Sequence, residues 1–176
     1  AFSRVSYLLS QIAFQQPDGS WMELKDQYAL IDVGSRRTAF TMRNVPSGSY
    51  QAIRFSVGLP EAANHGDPAT YPADHPLNPN VNRLHWNWQG GYVFLALEGK
   101  YRHHKTEIDG FVYHLANDHH LSRIQLKSSF QLRSRSLIRL SFDLRQLLRG
   151  SRPLSFVSDG NSSHSRKGDP IARTLV

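Results

Sequence analysis

Apolar and polar residues alternate with a period of two along much of the chain, the pattern of strands that bury one face. Ile53, Phe55 and Val57 fall on one side, with Arg54 and Ser56 opposite. Ile124, Leu126, Phe130 and Leu132 share a side against Gln125, Lys127 and Gln131, and Ile138, Leu140 and Phe142 alternate with Arg139, Ser141 and Asp143. Tyr92 to Leu97 is apolar on both sides, which predicts a central strand packed from two directions. The opening residues 1–14 read as a strand of a mature protein, because Arg4 and several serines interrupt what would be a signal-peptide core. Turn signals at Pro17-Asp18-Gly19, Pro46-Ser47-Gly48 and Gly90-Gly91 punctuate these runs. Many short strands so separated predict an all-β fold, a β-sandwich of antiparallel strands in a single domain over residues 1–176. One short helix is expected near the C-terminus. Asp143 can cap it, Leu144, Leu147 and Leu148 give it an apolar stripe, and Gly150 can end it.

Two segments resist strand assignment: a proline-rich loop from Glu61 to Arg83 and a polar loop from Ser158 to Pro170. Loops this long in a compact domain are places to look for function. Both carry a histidine shortly before Gly-Asp-Pro, His65 in the first and His164 in the second.

Charge is unevenly spread. The net charge is +7; residues 1–120 hold 10 Lys/Arg against 11 Asp/Glu, and residues 121–176 hold 11 against 3. The late basic residues mostly alternate with apolar ones, as on the solvated face of strands, and aromatic-basic interleaving of the RNA-platform kind is absent. No nucleic-acid partner is therefore expected. No stretch approaches the ~18–20 apolar residues that span a bilayer, so no membrane insertion is expected either. The chain has no cysteine, which excludes disulfides, thiolate metal sites and thiol catalysis. No G-x-S-x-G elbow, P-loop or dinucleotide fingerprint is present, and the acidic residues are sparse, so the chain is not expected to be an enzyme.

The nine histidines are the most informative residues. His103-His104 and His119-His120 are sequence neighbours beside polar loops, where side chains point apart and chelate poorly, and they read as solvated loop residues. His65, His85, His114 and His164 stand in different company. His114 lies inside the strand-like run Phe111 to Leu115, where a buried imidazole needs a partner. His65 follows Asn64 and precedes Asp67 by two residues, and a nearby carboxylate can orient a ligand imidazole's second nitrogen. Trp86 and Trp88 flank Asn87, so on an extended segment both rings point the same way. Such a pair can be a sheet-covering core, a stacking platform for sugar or peptide, or a redox-active indole beside a metal.

Taken in order, many segments resemble the MbnP-like family of copper-associated proteins of the bacterial periplasm and cell surface. They include Asp18-Gly19-Ser20-Trp21, Val45 to Tyr50, Arg54 to Gly58 and Asn64-His65-Gly66-Asp67-Pro68. The most specific block is His85 to Leu95, followed by Tyr113-His114-Leu115 and Ser163 to Pro170. The resemblance implies a β-sandwich that holds one copper ion with two histidines, for copper scavenging, storage or delivery. His65 and His114 are the ligands it suggests first, His85 and His164 second, with Asn64 and Asp67 around them. It also implies that a tryptophan, Trp86 or Trp88, is open to oxidation to kynurenine by a partner di-haem oxidase of the MbnH type, related to bacterial cytochrome c peroxidases. Some relatives carry the modified tryptophan two residues before the loop histidine, where this chain has Ala63. Copper held by neutral imidazoles should be released as pH falls through the histidine range near ~6.5. The alternative is a carbohydrate- or peptide-binding β-sandwich that uses Trp86 and Trp88, with Tyr92, as a stacking platform.

Overall fold

The computed structural model describes residues 1–87, 90–103, 106–150 and 152–175. Among them the strands are β1 (Phe2–Gln15), β2 (Trp21–Glu23), β3 (Ala29–Asp32), β4 (Gly48–Val57), β5 (His85–Trp86), β6 (Gly91–Arg102), β7 (Ile108–Ala116), β8 (Ser122–Leu132) and β9 (Ser162–Ser163). The helices are α1 (Glu61–Asn64), α2 (Pro79–Asn82), α3 (Leu144–Arg149) and α4 (Pro170–Leu175). The sheet runs β8-β4-β1-β6-β7-β9, with β2 and β3 added to β1 and β5 added to β6. Every pairing is antiparallel except β7 with β9, which is parallel. No helix among the described residues is long and apolar enough to cross a membrane.

β1 organises the fold. A strand has two edges, and β3 occupies one of them opposite Ser6, Tyr7 and Leu9. β6, opposite Ser6 and Tyr7, and β4, opposite Leu9, must then follow one another along the other edge. β1 is thereby shared by two wings, β6-β7-β9 and β4-β8, which makes the all-β fold sandwich-like. The wings meet at a bulge between Ser10 and Ala13, where Gln11 adopts a left-handed φ of 51°. The extra residue shifts the buried parity. Leu9 packs with Phe55 before the bulge, and Ile12 and Phe14 pack with it afterwards.

The β6-β7 wing is covered on both sides, as the two-faced apolar run Tyr92 to Leu97 predicts. Leu8, Phe94 and Ala96 pack beneath Leu77 of the proline-rich segment and Leu59 and Leu84 at its two ends. Val5, Leu95, Leu97, Phe111 and Tyr113 pack beneath Ile171, Ala172 and Leu175 of α4 and the leucines of α3. The predicted helix forms as α3, with the Asp143 carboxylate accepting from the Arg145 and Gln146 amides. The proline-rich loop contains short helical turns: Asn78 caps α2, and Asp67 caps a short 3₁₀ turn.

The alternation over Ile138 to Phe142 does not form a strand. Arg133 and Ser136 turn the chain out of β8, and the segment lies across the sheet instead. Ile138 packs onto the cluster of Phe14, Tyr50 and Leu132, and the Phe142 ring meets Tyr7 at 5.4 Å. Leu137 is left 77% exposed. A segment resting on an apolar face needs the same period-two pattern as a strand inside a sheet.

Candidate metal centre

Strand register brings together residues distant in sequence. In β6 and β7, Ala96 pairs with His114 and Glu98 with Val112, so Glu98 and His114 are diagonal neighbours on one face. In β1, Arg4 pairs with Glu98 and joins that face. β9 runs parallel to β7 with Ser163 opposite Tyr113, and this carries His164 up beside His114. The two imidazole centroids lie 5.2 Å apart. Trp86, at the end of β5, closes the group with its ring 5.7 Å from His114 and 6.0 Å from His164.

The hydrogen bonds around this cluster are specific. His114 Nε2 lies 2.9 Å from Glu98 Oε1, and the Arg4 guanidinium reaches the same oxygen at 3.1 Å. A carboxylate only accepts, so this contact is a hydrogen bond when His114 carries its proton on Nε2. His114 Nδ1 is the one buried side-chain polar atom among the described residues that has no hydrogen-bond partner. Burial pushes the His114 pKa down, by more than the Glu98 hydrogen bond pushes it up. Burial would raise the Glu98 pKa, but the bonds from His114 and Arg4 outweigh it and hold the carboxyl below its ordinary range. The centre therefore presents a neutral imidazole with an uncommitted lone pair. His164 is exposed, and its backbone is tied in place by the next residue: the buried Ser165 hydroxyl donates to the His114 carbonyl and accepts from the Ala116 amide.

His65 is placed differently. Its Nδ1 lies 2.8 Å from the Gly90 carbonyl oxygen and its Nε2 2.9 Å from Asp118 Oδ2. Both ring nitrogens face acceptors, an arrangement that suits the protonated ring, and the Asp118 bond followed by the Gly90 bond raises the His65 pKa. Asn64 is buried and acts as a clamp, donating to Asp118 and accepting from the Tyr92 amide. Asp67 is exposed and accepts from the Ala69 amide. His85 hydrogen-bonds Asn87 and sets its ring against Tyr92. Trp88 and His104 lie outside the described residues. Tyr92 is fully buried, with its hydroxyl on the Leu77 carbonyl, and offers no face to a ligand.

The structure joins His114 to His164 and Trp86, two of them named in the sequence only as second choices or as part of a pair. Glu98 and Arg4 escape sequence reasoning, although a carboxylate closing an apolar run and an arginine inside the first strand are both unusual enough to ask for a partner. His120 differs from the solvated reading. It is buried in a 3₁₀ turn with Nδ1 on the Ala116 carbonyl, and its ring centroid is 4.0 Å from that of His119. In such a turn successive side chains do not point apart as they do on a strand.

Among the described residues no group of three or more His, Asp or Glu side chains is arranged to hold a metal. Two pairs of imidazoles among them lie close together, His119 with His120 at 4.0 Å and His114 with His164 at 5.2 Å between centroids, and the second pair adjoins an indole and an unpartnered ring nitrogen. Imidazole nitrogen is a donor to copper as it is to zinc, whereas calcium takes oxygen ligands.

The fold and this cluster together define a class: an all-β protein with paired histidines and an indole on one face of a wing that is packed on both sides. The chain belongs to the MbnP family, whose model matches residues 1–165. It is similar to the solved structure of MbnP from Methylosinus trichosporium, at 17% identity and a TM-score of 0.42. That match covers 71% of this chain and 59% of the other, so this chain spans under two thirds of that protein's length. No curated protein matches the chain.

Proposed function

We propose that this MbnP-family protein binds one copper ion between His114 and His164, and that it scavenges, stores or delivers the metal without acting as an enzyme. The observation that carries the reading is the buried, unpartnered Nδ1 of His114 beside a second imidazole. An unsatisfied buried polar atom costs about 1–3 kcal/mol, and a bound cation would recover it. Its place of work in this reading is the periplasm or the cell surface, where a di-haem oxidase of the MbnH type would be its partner. Trp86, in ring contact with both histidines, is the tryptophan whose oxidation to kynurenine would put a new donor at the centre.

Titration with Cu(I) and Cu(II) tests the reading. Wild type should bind one equivalent, His114→Ala and His164→Ala should lose it, and His65→Ala should keep it. Loss in His65→Ala with retention in His164→Ala would move the site to the proline-rich loop. Peptide mass spectrometry of protein made beside the oxidase should show a gain of about 4 Da on the Trp86 peptide.

A further inference from the structure

We infer that Glu98, anchored by Arg4, is a positioning residue that fixes His114 as the Nε2–H tautomer and so makes Nδ1 the atom that faces a metal. The inference rests on the two-histidine reading for its metal, but its first half concerns the metal-free protein.

A free imidazole divides its proton between two nitrogens. Here the choice is made by the surroundings. With the proton on Nε2, His114 donates to Glu98 at 2.9 Å and Nδ1 keeps only a lone pair. With the proton on Nδ1, two penalties would coincide: a nitrogen lone pair would face a carboxylate oxygen, and a buried N–H would have no acceptor. Glu98 is itself held. Arg4 donates to Oε1 through Nη1, to the Arg83 carbonyl through Nη2 and to Ser6 through Nε. These bonds tie the carboxylate to β1 and to the end of the proline-rich segment, so it cannot swing away from the imidazole without breaking a network. The same oxygen serves both His114 and Arg4, which suits Glu98 to orient a ligand and not to be one.

The test reads the tautomer directly. Long-range proton–nitrogen correlation spectra of the metal-free, nitrogen-15-histidine-labelled protein at pH 8 should show His114 protonated on Nε2. Glu98→Gln can accept or donate at that position, so its His114 should become a mixture of tautomers. Its Cu(I) affinity should fall roughly 10- to 100-fold, as expected for loss of an outer-shell partner. Arg4→Gln keeps the carboxylate and should keep the tautomer with a smaller loss of affinity. An Nδ1–H tautomer in wild type would overturn the inference without any variant having to fold. Glu98→Gln with unchanged tautomer and affinity would overturn it as well. A wild-type protein that has the Nε2–H tautomer but takes up no copper would overturn the two-histidine reading, leaving the assignment of Glu98 to the tautomer standing.

Discussion

His65 and His114 each sit against a carboxylate, yet their second nitrogens meet opposite surroundings, and this separates their chemistry. The second nitrogen of His65 meets a carbonyl oxygen, so protonation is rewarded; that of His114 meets nothing, so the neutral ring is kept. The His65 contact has a calculable sign with pH. Its raised pKa means a stabilisation fully present below the ordinary imidazole value and lost as pH rises through the raised one. At Asp118, burial would raise the pKa, but the bonds from His65 and Asn64 outweigh it and hold the carboxyl low. That contribution is present above the ordinary carboxylate value and lost as pH falls. The two windows overlap between the carboxylate and imidazole ranges. Thermal melts of metal-free wild type and His65→Gln should therefore differ most near about pH 5.5 and converge toward about pH 9. Both side chains are nearly half exposed, so the difference should be small. A gap that widens as pH rises would show that His65 acts in its neutral form.

At the scale of elements, the two-residue strand β9 has an effect out of proportion to its length. It places His164, and its pairing with β7 is extended by Ser165, which lies just beyond it in a left-handed conformation at φ 55°. Ser165→Ala would leave the Ala116 amide and the His114 carbonyl without their partner in a buried place. The expected cost is about 1–3 kcal/mol in urea unfolding. Copper affinity should weaken several-fold as His164 loses its fixed approach; an unchanged affinity would mean that β9 is held by other contacts. None of this is visible in the sequence, because two residues carry no periodicity and the pairing partner lies some fifty positions away. The longer elements are different. The alternations Ile53-Phe55-Val57 and Ile124 to Leu132 and the apolar run Tyr92 to Leu97 announce β4, β8 and β6, although they do not say which face is buried: Ser56 is fully buried and Leu126 is 40% exposed. The helix after Asp143 is legible from its cap and its leucines. The alternation of Ile138 to Phe142 misleads for a stated reason: periodicity reports an apolar neighbour and not the identity of that neighbour. The histidines of the centre stand out as residues, but their grouping depends on strand register, and register is a property of pairs.

Across the whole molecule, charge is segregated by chain position more sharply than the net value suggests. From Arg123 to Arg149 there are seven Lys/Arg and one carboxylate, and that carboxylate, Asp143, is engaged in capping α3. All seven cations are exposed, and none makes an ion pair among the described residues. Lysine and arginine along β8 also guard an outer edge that no strand among the described residues pairs. The arrangement has a cost, because the like charges carried by β8, the segment after it and α3 repel in the folded state and disperse in the unfolded chain. Screening should then stabilise the protein. Raising NaCl from about 0.02 to 0.3 M, which shortens the Debye length from roughly 20 Å to below 6 Å, should increase unfolding free energy by a few tenths to about 1 kcal/mol. Salt also weakens attractive pairs, but those between Arg/Lys and a carboxylate are only Arg4–Glu98, Arg54–Glu23 and Arg152–Asp159 among the described residues, and the first two are partly buried and screened less. Replacing one cation separates repulsion from general salt effects. Arg135 is exposed and makes no ion pair among the described residues, so Arg135→Glu should raise stability at low salt and flatten the salt dependence. If stability instead falls with NaCl, and Arg135→Glu is neutral or destabilising, attraction outweighs repulsion among these residues and the basic surface is balanced within the fold.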